Sequence, residues 1–407
     1  MAITADFPVA APAAAAPVAT VRDPRLDVFR GLAMFIILLA HTPGNAWTLW
    51  IPARWGFSDA TEIFVFCSGM ASAIAFGRTF DRAGWALGTA RVGYRCWQVY
   101  WAHIGLFMAT LALTIALTES GLGTRNYWGQ LNLWPVIVDG ENWTNDGIIL
   151  ALMTLRYVPN YFDILPMYLV VLAMMPAFVA LARWWFPAAA AASVAVWLLA
   201  QDALVTWAGV PGWHLALPAE PWTERTWFFN PFGWQLIFFT GFSFMAGWLP
   251  KPPVAAWLIA LCVVVVGVNV LYSNVGVRVL DLEFAKDWRE ANRAWFDKSD
   301  FGPLRYLHFL ALGYLAWAAC GVGGRRLIAL AEGAGRVAIR WITKVGQQSL
   351  AIFVFSMALA RFNGFVLDVI GRNAATWALV NLSGFALLIG VAYLCGWFKS
   401  QPWRAKR

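Results

Sequence analysis

Asp27, Arg30 and His41 are the first residues of this chain whose types and spacing could do chemistry together. They open and occupy the first long apolar stretch, where an acid, a base and an imidazole are costly to place against lipid. Such residues usually line an aqueous path or a reacting site. At about 100° per residue, all three fall within about 60° of one another on one helix face. At about 1.5 Å rise per residue, Arg30 and His41 lie about 16 Å apart. A phosphopantetheine arm could cover that span, from a phosphate at the helix mouth to a thioester at the imidazole. The plainer reading is a helix whose basic end reaches the headgroups and whose histidine bonds a neighbouring helix.

The elements that must hold these residues are membrane helices. A chain of 407 residues that is 60% hydrophobic, only 13% charged and carries 26 Trp is not a soluble globule. The net charge of +8 is best read through topology, because the basic residues sit in short loops between apolar runs. No nucleic-acid partner is expected. The five cysteines have no metal-ligand spacing and form no disulfide framework, so neither a metal site nor a cross-linked scaffold is predicted.

Hydropathy predicts an all-α polytopic membrane protein with about ten spans, eleven or twelve remaining open, around a central pore. The spans fall near 29–49, 59–79, 97–118, 161–182, 187–208, 233–249, 254–272, 304–320, 347–368 and 374–397. Residues 147–158 are apolar but too short to cross, and read as interfacial or re-entrant. Residues 325–344 interleave Arg325, Arg326, Arg336, Arg340 and Lys344 with apolar positions, as an amphipathic surface helix would. Residues 1–24 form an Ala/Pro-rich disordered tail, 25–398 the integral-membrane domain and 399–407 a basic tail. No internal repeat is evident, which weighs against a transporter built from inverted repeats. With both termini inside, cytoplasmic segments collect about 18 of the 30 Lys and Arg. The Trp-rich outer segments 119–146 and 209–232 suit interface anchoring or sugar stacking.

Several motifs carry a resemblance. Leu26-Asp-Val-Phe-Arg30-Gly31 through His41 resembles the first motif of the transmembrane acyltransferase-3 superfamily, an Arg-Gly pair followed by a histidine about ten residues on. Glu62-Ile-Phe-Val-Phe-Cys-Ser-Gly69 is similar to its second-helix motif, with Glu62 in place of the usual aspartate. Gly346-Gln-Gln-Ser349-Leu resembles its late Gly-x-x-Ser-Tyr segment, and Ser356 stands where a late histidine often occurs. Within that group the chain resembles the OpgC family, on residues 22–30, 56–69, 155–166, 230–235 and 346–355. The lysosomal heparan-sulfate acetyltransferase has a distantly similar first pair of helices. The resemblance implies a bacterial inner-membrane enzyme that succinylates osmoregulated periplasmic glucans. It would have both termini cytoplasmic and acyl-CoA, succinyl-CoA above all, as co-substrate.

Acyl transfer from a thioester to a sugar hydroxyl needs a base, stabilisation of an oxyanion and alignment of two substrates. His41 is the expected base. Glu62 could accept the imidazole's other N–H and fix its tautomer, while Asp59, one turn earlier, could meet the sugar. Both acids would also simply complement a helix N-terminus. Arg30, then Arg91 and Arg95, are candidate partners for the phosphates of CoA, although positive-inside topology explains any one of them. Asp27 is expected to pair with Arg30 in a structural role. Arg156, Asn160 and Asp163, beside Pro159 and Pro166, are candidate substrate-binding residues. Arg156 could receive a succinyl carboxylate or form a salt bridge to Asp163. His103 and His308 are expected to be satisfied by neighbours, and His214 to be solvated.

Direct transfer is favoured over an acyl-enzyme because no Ser or Cys is tied to His41 by a local motif; a relay through Cys67 or Ser68 stays open. A homodimer is compatible with the sequence. The rival readings are a transporter or flippase of polar glycans, and a non-catalytic partner of a glucan-synthesis complex.

Overall fold

The computed structural model describes residues 23–137 and 145–404. The predicted tail 1–24, apart from its last two residues, and the end of the basic tail at 405–407 lie outside the described residues. Among those described the chain is helical, without a β-strand. The helices that position the site are α1 (Arg25–His41), α2 (Ala60–Ser72), α3 (Arg78–Glu119), α4 (Asn145–Met153), α5 (Ile164–Leu199) and α6 (Pro231–Ala246). They are followed by α7 (Ala256–Leu271), α8 (Pro303–Cys320), α9 (Arg325–Glu332), α10 (Arg336–Gln347), α11 (Ser349–Ile370) and α12 (Ala374–Ser400).

By length and composition, five helical runs among the described residues could cross a membrane, or six if the bent pair at Cys320–Val322 is one span. The difference from ten has a physical source. Ala60–Glu119 is a single 60-residue run that includes α2, a π-turn at Ala73–Gly77 and α3. At about 1.5 Å per residue it is far longer than one crossing. The run doubles back at Gly84, whose φ of 80° and ψ of 175° are not helical. Arg91 therefore bonds Thr79 and lies over the Phe76 ring, at 5.6 Å, while Gly88 faces Phe80. The long α5 turns in the same way at Trp185 (φ −161°). Phe178 and Phe186, on either side of that break, both pack on Trp248, and Ser193 returns to bond Gln235 near the start of α6.

Two close helix crossings explain the glycines of the motifs. A Cβ on Gly31 would lie 2.0 Å from the Ile342 carbonyl oxygen, and one on Gly346 would lie 1.8 Å from that of Asp27. The α1–α10 contact is thus backbone against backbone, as small residues allow in membrane helices. Gly69 and Gly241 do the same between α2 and α6, facing the carbonyls of Phe238 and Phe66 at 2.0 and 2.3 Å. The stretch 325–344 is two helices rather than one, broken at Gly333–Gly335, and α10 packs against α1 and α12. The apolar 147–158 segment holds the short α4.

Candidate functional site

His41 ends α1 and is half-buried. Its Nδ1 lies 2.9 Å from the Ile37 carbonyl oxygen of its own helix. A carbonyl can only accept, so Nδ1 carries the proton and Nε2 is left as the ring's basic nitrogen. The imidazole packs edge-on against Tyr161, with ring centroids 5.5 Å apart. Arg361 stacks on the same tyrosine at 4.1 Å and donates from Nη2 to the His41 carbonyl oxygen at 3.3 Å. The Tyr161 hydroxyl donates to the Met357 carbonyl at 2.5 Å, and the residue itself sits at a positive φ of 98°. His41 and Tyr161 line a cavity of about 250 Å³, together with Ile37, Thr61, Phe64, Asn160, Asp163, Ile164, Phe228, Phe229, Lys298, Phe353 and Met357.

The expected contact between Glu62 and the imidazole is absent. Glu62 is fully buried, and both of its carboxylate oxygens are committed elsewhere. Oε2 accepts the Asp59 backbone N–H at 2.7 Å, closing a capping box at the start of α2. Oε1 accepts Arg305 Nε at 2.8 Å and lies 2.5 Å from Nη2 of the same guanidinium in an ion pair. Asp59 caps Thr61 N–H, pairs with Lys298 at 2.5 Å and lies 3.6 Å from Arg305. Two acids and two bases thus form one closed cluster. Asp59 does not itself line the cavity; two of its partners, Lys298 and Thr61, do.

At the other end of α1, Arg30 donates to the Ser349 hydroxyl, joining the first motif to the late Gly-x-x-Ser segment. Arg30 Nε is buried without a partner. Asp27 is buried and lies within electrostatic reach of Arg30. Arg95 also lies within that reach, and bonds Gln98 at 3.0 Å. Arg91 is turned to Thr79 and Phe76 instead. From Ser349, the residues Phe353, Met357 and Arg361 follow at intervals of four along one stripe of α11. This stripe runs beside α1 from Arg30 to His41. Cys67 is buried within electrostatic reach of Arg30 and Asp27, toward the Arg30 end of that path.

Of the three residues proposed to hold substrate, Asn160 and Asp163 line the cavity and Arg156 does not. Arg156 is exposed, and no ion pair joins it to Asp163 among the described residues. Asp163 instead accepts the Phe228 N–H at 3.1 Å through Oδ1, while Oδ2 is buried without a partner. Pro166 does not break the helix. It falls in the first turn of α5, where an N–H has no intrahelical acceptor to lose. His308 is satisfied as expected, by the Ser58 hydroxyl at 2.7 Å. His103 is not, since both ring nitrogens are buried without partners. His214 lies beside Asp202 and Asp300 at 3.8 and 3.6 Å. Burial raises the Asp300 carboxyl above its ordinary 3.8, against the opposing hydrogen bond from Asn230.

Tyr161, Lys298, Arg305 and Arg361 were not singled out from sequence. Arg361 lies inside a predicted span and Arg305 opens another, so the cost of an intramembrane charge was the available signal. Lys298 gave none, being one of many charges in a loop. Among the described residues no group of three or more His, Cys, Asp or Glu could hold a metal ion.

A family model described as OpgC protein matches residues 22–400. No curated protein and no solved structure matches the chain.

Proposed function

Since the chain belongs to the OpgC family, a family of glucan-modifying acyltransferases, we propose that it transfers an acyl group, succinyl above all, from cytoplasmic acyl-CoA to a hydroxyl of a periplasmic glucan. His41 is the general base, acting through Nε2. The observation that carries this reading is the Ile37 carbonyl on Nδ1, which selects the tautomer with a basic Nε2, in a residue that lines a largely apolar cavity together with Asn160, Asp163 and Lys298. Orientation of the ring, expected from Glu62, is supplied by Ile37 and Tyr161. Arg30, with Ser349 beside it and Arg95 near, binds the phosphates of CoA at the cytoplasmic mouth. The thioester reaches His41 between α1 and the Ser349–Arg361 stripe of α11.

In the transfer step Nε2 removes the proton of the sugar hydroxyl as its oxygen bonds the thioester carbonyl carbon. Collapse of the tetrahedral intermediate breaks the C–S bond, and the imidazolium returns its proton to the leaving CoA thiolate. Asp163 and Asn160 hold the acceptor. Direct transfer is favoured because Cys67 lies toward Arg30 rather than His41. Ten crossings around a pore, in the inner membrane with both termini cytoplasmic, suit this chemistry. The reversals at Gly84 and Trp185 divide the two longest runs, and α1, α6 and α8, at 17, 16 and 18 residues, would supply the further crossings such a count requires.

The test is transfer from radiolabelled succinyl-CoA to a β-glucan by the lipid-reconstituted protein, comparing wild type with His41→Ala. Label in the glucan from wild type alone supports the proposal. Equal transfer by both would move the base away from His41. Glycan movement into vesicles without acylation would make the protein a transporter.

A further inference from the structure

A second, open groove of about 330 Å³ adjoins the cavity and shares Asn160 and Phe228 with it. Arg225 holds the wall between them. It donates to Asn160 Oδ1 at 2.7 Å, to the Val158 carbonyl at 3.1 Å and to Glu220 at 3.1 Å. Trp227 lines the groove at 3% exposure, and its Nε1–H is buried without an acceptor. On the cavity side, Asp163 is 1% exposed and its Oδ2 is buried without a donor. A buried donor and a buried acceptor, both unmatched, therefore flank the Asn160–Phe228 junction. Unmatched buried polar groups are uncommon and call for a partner.

We propose that the groove is a second saccharide subsite, so that the acceptor is bound as at least two linked sugar units, one in the cavity and one in the groove. This rests on the acyltransferase reading above. A sugar carries hydroxyls that both donate and accept, and so can satisfy Asp163 Oδ2 on one side and Trp227 Nε1–H on the other. A carboxylate ligand would be repelled by Asp163, and an ammonium has no acceptor to offer the indole. Phe228, 37% exposed at the junction, presents an aromatic face to the C–H face of a pyranose. The reacting hydroxyl then belongs to the unit beside His41, while the groove sets where along the glucan that unit falls.

The experiment is calorimetric titration of the full detergent-solubilised chain with methyl β-glucoside and with a β-linked glucose disaccharide. It is run beside acyl transfer to each acceptor. The readout is the ratio of the two affinities within each variant, which a general loss of folded protein does not change. Wild type should favour the disaccharide about 10-fold or more. Trp227→Phe, which removes the N–H and keeps a ring, should reduce that ratio about 5-fold, as loss of one buried hydrogen bond would. If that variant does not fold, Glu224→Ala at an exposed position of the groove takes its place and should reduce the ratio about 2-fold. A wild-type ratio near one, or a ratio unchanged by the folded variant, overturns the subsite. Acyl transfer without length preference would sink the subsite and spare the function. Length-dependent binding without any transfer would do the reverse.

Discussion

Arg30 and Ser349, 319 residues apart in the chain, meet in a side-chain hydrogen bond at the end of α1 remote from His41. The contact exists because Gly31 and Gly346 let α1 and α10 touch backbone to backbone, delivering the start of α11 to the arginine. The first and the late motif therefore meet in space. In the proposed donor site the guanidinium would keep further donors for a phosphate, with Ser349 accepting one of its N–H groups.

Ser349→Ala should raise KM for acyl-CoA about 5- to 10-fold with little change in kcat, because a hydrogen bond to a charged group contributes about 1.5 kcal/mol. Arg30→Ala should raise it further. Steady-state transfer with varied acyl-CoA in proteoliposomes measures both. A fall in kcat with KM unchanged would place Arg30 outside the donor site.

His41→Gln should lower kcat by at least about 100-fold, the usual contribution of a general base, while acyl-CoA still binds. Transfer rate and equilibrium acyl-CoA binding, measured on the same reconstituted protein, separate the two effects. Retained transfer would make His41 a packing residue.

The Glu62–Arg305 pair predicts stability effects rather than chemistry. Arg305→Met leaves a fully buried carboxylate with its main partner gone, an outcome that typically costs about 3–5 kcal/mol. The double variant Glu62→Gln/Arg305→Met should recover most of that loss. Thermal unfolding in detergent reads both. If Glu62→Gln alone abolished transfer at unchanged stability, Glu62 would regain the catalytic role its position in the motif implied.

Arg361→Gln should reduce kcat more than it changes either KM, since Arg361 acts through Tyr161 and the His41 carbonyl. Arg361→Lys, which keeps a cation over the ring, should restore part of the rate. Unchanged kcat in Arg361→Gln would remove the residue from the site.

Asp300 predicts a pH effect. Burial raises its folded pKa above 3.8, so between 3.8 and that higher value the folded chain holds a proton that the unfolded chain releases. Stability from this group is full below 3.8 and falls as pH rises through the folded pKa. Asp300→Asn should therefore unfold at a higher temperature than wild type at pH 7, and the gap should close as pH approaches 3.8. His214, Asp297, Asp202 and Asn230 surround the carboxyl and remain in both proteins. A gap that widened toward low pH would contradict the assigned direction.

The sequence by itself determined what depends on composition and local spacing. The helical membrane class follows from 60% hydrophobic residues in runs of span length. That Arg30 and His41 share one face of one helix follows from helical periodicity alone. Asp59 and Glu62 were legible as a pair at a helix N-terminus for the same reason, since residues one turn apart share a face. What each acid touches was not legible. Glu62 meets Arg305, 243 residues away, because α8 packs against the start of α2, and no local period encodes that pairing. The reversals at Gly84 and Trp185 likewise join helical stretches whose separation hydropathy reads but whose folding back onto each other it does not. Tyr161 and Lys298 reach the His41 cavity from a loop and a distant turn, and Arg361 reaches Tyr161 and the His41 carbonyl from a late helix. Only the tertiary packing of those elements brought them to one place, since the contacts that hold them run between segments far apart in the chain.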